Sequence, residues 1–204
     1  MQNVLNNKLI DVRKSYRLLF EYQDRIKNLV SFIGGHFDFE FREGYPVFSA
    51  HAKNGGKVDL EHWAWDWLSM YFYHFKFTPK DNLTFSIFIL TDTGYYDVSK
   101  QDGTIASKIK PETFNAVENS ETKLFLVLGK DMWKRDTKLG DWEDILFQNN
   151  NVFSNDAGGK FLFKEYMLDQ FIDESSAISS LEDFQAFCNE NGILSLQLKR
   201  RELQ

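Results

Sequence analysis

Cysteine is almost missing from this chain. Cys188 is the single one in 204 residues, which excludes an intrachain disulfide and a cysteine-based zinc cluster. A chain of this length without disulfides suits a reducing compartment. Three prolines and 12 glycines are too few for a long flexible linker. No apolar run is long enough to span a bilayer, since the most apolar stretch, 63–77, is interrupted by Asp66, His74 and Lys76. Met1 to Lys8 lack the apolar segment of a secretory signal, so a cytoplasmic location and no membrane contact are expected. Basic charge is in deficit, with 24 Lys and Arg against 30 Asp and Glu and a net charge of −6. That balance argues against a general role on nucleic acid or anionic membrane. The signatures His-Glu-x-x-His and Gly-x-Ser-x-Gly are absent. Gly34-Gly35, Gly55-Gly56 and Gly158-Gly159 are isolated pairs without the context of a phosphate loop, and no cofactor is expected.

Aromatics are what the chain has in excess: 20 Phe, 8 Tyr and 5 Trp. Such side chains dominate both cores and interfaces because each buries a large area. Trp63, Trp65 and Trp67 fall on successive odd positions, and a length of 204 residues fits one domain, 1–204. Leu5, Leu9, Val12, Tyr16, Leu19, Gln23, Ile26, Val30 and Ile33 follow an unbroken 4-3 spacing. This heptad stripe predicts one helix over 3–33, stopped by Gly34-Gly35 and carrying one polar member, Gln23. Its length exceeds what a single sheet needs, so the stripe is expected to overhang and to pair with a partner protein or a second copy, as a possible dimer.

Phe37, Phe39 and Phe41 alternate with Asp38, Glu40 and Arg42, the period of a half-buried strand. A second, aromatic-rich helix is expected from Leu60 to about Tyr73, capped by Asp59, with an extended segment towards Pro79. Leu83–Thr91, Lys123–Leu128, Phe161–Leu168 and Leu194–Leu198 read as strands, and residues 130–160 as irregular. Ser179-Ser180-Leu181-Glu182 matches a capping box, opening a helix that stops at Asn191-Gly192. Strands that neighbour strands, with helices gathered on one face, define an α+β fold with a mainly antiparallel sheet.

Candidate chemistry is sparse. His36, Asp38 and Glu40 would share the outer face of the first strand, with His51 on its neighbour, a fair ligand set for a divalent cation. A solvated polar face explains the same pattern, and no metal is expected. His62 and Asp66 are one helical turn apart, which suits capping and pairing as well as a general base. Trp133-Lys134-Arg135 and Lys199-Arg200-Arg201 are short basic clusters, the first beside a stacking ring. Asp92-Thr93-Gly94, following Phe88-Ile89-Leu90, resembles the catalytic loop of aspartic proteases, and Val127-Leu128-Gly129 resembles their second landmark. The resemblance implies that two copies would pair their Asp92 carboxylates over a shared proton. Thr91 and Tyr95 depart from that pattern, and the two landmarks are unusually close in sequence.

These features together suggest a non-catalytic protein-binding module (adaptor, inhibitor or immunity-like), with an acidic, aromatic-rich surface. Its expected binding residues are Trp63, Trp65, Trp67, Gln23 and Trp133. The alternative is a carboxylate-dependent hydrolase working near Asp92 or the His36/Asp38/Glu40 face.

Overall fold

Two periodicities account for most of the architecture: one long stripe of helical spacing, and several short runs that alternate between two apolar faces. The structure, a computed structural model, describes residues 2–46, 72–95, 111–136 and 141–199. Helix α1 (Gln2–His36) leads into strand β1 (Phe41–Pro46), followed by β2 (Phe72–Phe77), β3 (Leu83–Leu90) and β4 (Lys123–Lys130). The short helix α2 (Trp142–Leu146), β5 (Val152–Ser154), β6 (Lys160–Met167) and helix α3 (Glu174–Glu190) complete the described elements. The strands form one sheet in the order β1-β2-β3-β4-β6-β5, and every neighbouring pair is antiparallel. The fold is α+β.

Asp81 and Asn82, both with positive φ (50° and 62°), join β2 to β3. Lys80 and Leu83 exchange backbone hydrogen bonds across them, the geometry of a two-residue hairpin turn whose twist matches its strands. In the middle of the sheet, alternation puts apolar residues on both faces. Leu83, Phe85, Ile87 and Ile89 of β3 join Leu124, Leu126 and Leu128 of β4 in one cluster, with Ile26, Val30 and Ile33 of α1 and Leu181, Phe184 and Cys188 of α3. Phe88, Leu90, Phe125 and Val127 face the other way, against Phe72, Phe161, Trp142, Ile145 and Leu146. β3 and β4 therefore read as near-continuous apolar runs, the pattern of strands buried on both sides.

The heptad stripe does form one uninterrupted helix, but Gly34-Gly35 does not stop it. The helix runs on to His36 and closes at Asp38, whose φ of 59° is left-handed. The Phe39 N–H bonds to the Gly34 carbonyl (2.9 Å) and the Asp38 N–H to the Gly35 carbonyl (3.3 Å), which is a Schellman closure with aspartate in the place glycine usually takes. Helix α3 ends the same way with Gly192 (φ 81°) in that place, where the Ile193 N–H reaches the Cys188 carbonyl. Gly34 is needed for another reason: a Cβ there would collide with the Phe77 ring.

Other expectations are corrected. Phe37 and Phe39 are buried, yet they belong to the helix exit rather than to a strand, and Phe41, where β1 begins, is half exposed. The chain turns at Asp38 and tucks both rings against Phe85, at 5.7 and 5.1 Å between centroids. Phe72 and Tyr73, expected at the end of a helix, are in β2 because their alternation pairs with Leu90 and Ile89. The remainder of that expected helix, with Trp63, Trp65 and Trp67, lies outside the described residues. α3 begins at Glu174, earlier than the Ser179 box suggested. Asp173 caps it, accepting from the Ser176 N–H at 2.9 Å. Leu194–Leu198 forms no strand: Leu196 is buried and Leu194 exposed in an irregular run after the helix. Residues 130–160, expected to be irregular, include α2 and β5.

The two adjacent glycines should respond oppositely to alanine. Gly35→Ala meets nothing within 4 Å, so it is expected to stabilise the helix by about 0.5–1 kcal/mol. Gly34→Ala must displace Phe77 and is expected to destabilise by about 1–3 kcal/mol. Urea denaturation of the two variants checks both signs.

Candidate functional site

Helix α1 is about 52 Å long at 1.5 Å per residue, whereas a six-residue strand such as β2 spans about 20 Å. The mismatch is visible in the burial. Between Asn6 and Glu21 every side chain is exposed except the half-buried Leu19, and docking begins at Tyr22. Leu9, Val12 and Tyr16 nevertheless continue the stripe that Ile26, Val30 and Ile33 bury further along, and Phe20 widens it on one side. At 100° per residue these four side chains fall within about 80° of arc, so they form one apolar face. Tyr16 is 62% and Phe20 74% exposed. Four cations (Lys8, Arg13, Lys14, Arg17) and two carboxylates (Asp11, Glu21) surround them. The projecting half is thus net positive on a chain of net charge −6.

The exposed face leads into a groove of about 500 Å³ between α1 and the β1–β2 edge, lined by Gln23, Lys27, Val30, Phe41, Tyr45 and Tyr73 among others. The Gln23 amide donates to the Tyr73 hydroxyl at 3.1 Å. Gln23 therefore ties the helix to its own sheet. A second groove, of about 700 Å³, lies on the opposite flank of α1, where Tyr22, Ile26 and Leu29 face Met167, Phe171 and Ile172. The Tyr22 hydroxyl is buried there without a hydrogen-bond partner, and desolvation raises its pKa.

On the other face of the sheet, His74 sits between two hydroxyls. Its Nδ1 is 3.0 Å from the Tyr45 hydroxyl and its Nε2 is 3.0 Å from Ser86 Oγ. The ring stacks on Phe88 (3.9 Å between centroids) and meets the edge of Trp142. Burial, reinforced by Lys76 and Lys134, lowers the His74 pKa from 6.5 to about 3, so the ring is neutral at pH 7. Tyr45 opens onto a cleft of about 420 Å³ that Lys76, Lys134, Arg135, Trp133 and Trp142 complete. Sequence reading missed this site. The signal was present, because His74 shares the parity of Phe72 in β2 and must therefore point into an apolar layer.

The remaining candidates do not converge. His36 is helical and buried, its Nδ1 2.9 Å from the Phe32 carbonyl. Asp38 closes the helix and pairs with Lys199 and Lys80, which hold its carboxyl down at about 2. Glu40 is exposed. The shared strand face on which these three were candidate ligands does not form, because His36 ends the helix and Asp38 closes it, and no group of three potential ligands occurs among the described residues. His51, His62 and Asp66 lie outside those residues. Asp92 accepts the Gly94 N–H at 2.7 Å, an ordinary turn. Leu90 pairs with Lys123 and Thr84 with Gly129, so Asp92 and Val127-Leu128-Gly129 occupy opposite ends of the hairpin, about 20 Å apart. The aspartic-protease arrangement, which needs them adjacent, does not form. Trp133 is half-buried against Trp142 and Phe161. Cys188 is fully buried, and desolvation raises its thiol pKa, so it is a core residue.

The His74 environment carries a pH signature. Between about 6.5 and 3 the unfolded chain protonates this imidazole while the folded chain does not, so the contribution is intact above 6.5 and lost as pH falls. Stability should drop by a few kcal/mol between pH 7 and 4.5. His74→Gln, which keeps an amide for the hydroxyls, should flatten that slope. Urea midpoints across the range test it.

No helix among the described residues is long and apolar enough to cross a membrane. No curated protein and no solved structure matches the chain. A family model does: it spans residues 2–197, from the start of the projecting helix through α3 and the segment after it, and the chain belongs to the PM0109 family.

Proposed function

We propose that this chain is a non-catalytic protein-binding module of the adaptor, inhibitor or immunity type, acting in the cytoplasm and docking through the projecting half of α1. The observation that carries the reading is the exposed continuation of a core stripe. Leu9, Val12 and Tyr16 keep the spacing of the buried residues of the same helix, Phe20 widens their face, and that face leads into the groove beside β1. An apolar face of this kind on a folded chain marks an interaction site, and large rings make effective anchors. Recognition of a helix or groove by apolar residues at i, i+3, i+4 and i+7 spacing is an established mode. The cations around the stripe suit a partner whose docking face is acidic, although the chain as a whole is acidic. The hydrolase alternative loses its support in the turn role of Asp92 and the dispersal of His36, Asp38 and Glu40.

Lys8, beside the stripe, and Lys27, in the groove it leads into, serve as reporters. In amine crosslinking of a native extract, the wild-type chain is expected to link through them to one protein at near-stoichiometric yield, either another chain or a second copy. A Leu9→Glu/Val12→Glu/Tyr16→Glu variant should lose that product while its stability changes by no more than about 0.5 kcal/mol per site. Identical crosslinks from variant and wild type overturn the reading.

A further inference from the structure

The cleft beside Tyr45 shares that one residue with the groove beside α1, and its other walls differ from the rest of this acidic chain. Lys76 comes from β2, while Lys134 and Arg135 come from the turn after β4, so three cations from two separate segments meet at one opening. Their carboxylate partners stand outside it: Glu43 is 3.1 Å from Lys76, Asp141 3.6 Å from Lys134 and Asp136 3.6 Å from Arg135, and none of the three acids lines the cleft. In each pair at least one partner is exposed, and such solvent-screened pairs exchange readily for a better anion. The other wall is aromatic. Trp133 and Trp142 meet edge to face at 5.7 Å, and Lys134 lies 5.3 Å over the Trp142 ring.

Tyr45 stands between the two walls, and its hydroxyl is fixed from behind. Ser86 and His74, both about 1% exposed, form a hydrogen-bonded line that reaches the Tyr45 oxygen. Lys76 lies 4.6 Å over the same tyrosine ring. A hydroxyl held in this way reaches a ligand without a loss of rotamer freedom on binding. A volume of about 420 Å³ falls in the range of small-molecule sites.

We propose that this cleft binds a phosphate ester carrying a planar ring, of the size of a nucleoside monophosphate. Three cations exceed what a single carboxylate can engage, whereas a phosphate presents three oxygens and close to two charges. Trp142 is buried and backs this wall, so the half-buried Trp133 indole takes the planar ring by stacking, and the Tyr45 hydroxyl bonds at the junction between ring and phosphate. The site adds a small-molecule ligand to a chain whose composition pointed to none.

Calorimetric titration of the full chain with adenosine monophosphate, uridine monophosphate, inorganic phosphate and adenosine tests the proposal. Both nucleotides are expected to bind, with phosphate and adenosine each weaker by about tenfold or more. Raised salt should weaken the nucleotides. A Lys134→Ala/Arg135→Ala variant should lose about tenfold or more in nucleotide affinity, with its melting curve unchanged. Should that variant melt early, Arg135→Ala alone gives the readout. Its side chain is 87% exposed, and a loss of about threefold or more is expected. A Lys164→Ala control, whose side chain pairs with Asp183 of α3 on the other face of the sheet, should bind as wild type. No binding of either nucleotide, adenosine or phosphate matching the nucleotides, or full affinity in Arg135→Ala would each overturn the proposal.

Discussion

Phe85 and Phe88 lie three residues apart on the same strand, point to opposite faces of the sheet, and are both fully removed from water. Satisfying both requires a layer on each side. On one side Phe85 gathers the rings of Phe37, Phe39, Phe77 and Phe184, which come from the exit of α1, strand β2 and helix α3. On the other, Phe88 packs against Phe72, His74 and Trp142. Each fully buried ring contributes on the order of 1.5–3 kcal/mol relative to exposure. The aromatic excess is thus spent on holding three layers together, and the ring-rich segments converge on β3 because it faces both.

Docking of α1 follows from the first of these layers. Ile26, Val30 and Ile33 anchor the helix where Phe77 can approach the backbone at Gly34, and Gln23 adds a hydrogen bond to Tyr73. Beyond Tyr22 no described strand packs on the helix, which continues. Hydrogen bonding along the helix holds the projecting turns in register with the docked ones, so the exposed stripe is presented from a fixed base. A rigid base lowers the ordering cost of binding. This connects the packing of the second half of the helix to the recognition role proposed for the first.

Helix and strand identities were legible where the apolar pattern ran long enough to select one period. The nine-member stripe of α1 and the apolar runs of β3, β4 and β6 are of that kind. Phe37, Phe39 and Phe41 were misleading because three alternating rings also fit a helix exit with a left-handed turn in the middle, and Asp38 supplies that turn without being glycine. Leu194, Leu196 and Leu198 failed similarly: only Leu196 needs a core position, and a chain leaving α3 at Gly192 meets that need without a strand. The Asp92 resemblance was local and could not reveal the antiparallel register that separates it from Val127-Leu128-Gly129. Gln23 was visible as the odd member of the stripe, but its partner is 50 residues away, a distance over which spacing arguments say nothing.

The Tyr45–His74–Ser86 line was the least legible element, since its members come from three strands and become neighbours only through the registers Tyr45 to His74 and Lys76 to Ser86. Its presence in an otherwise apolar layer needs a reason. Burying a neutral imidazole and a hydroxyl has a desolvation cost that their mutual hydrogen bonds only about offset, and apolar residues of the same shape would do as well for stability. What the line adds is orientation. A neutral His74 bonded at both nitrogens fixes its own ring plane, and through it the Tyr45 hydroxyl, at the mouth of a cleft whose other residues are cationic and aromatic. A buried polar element that gives little to folding and sets the direction of a surface group is accounted for by what that surface group contacts.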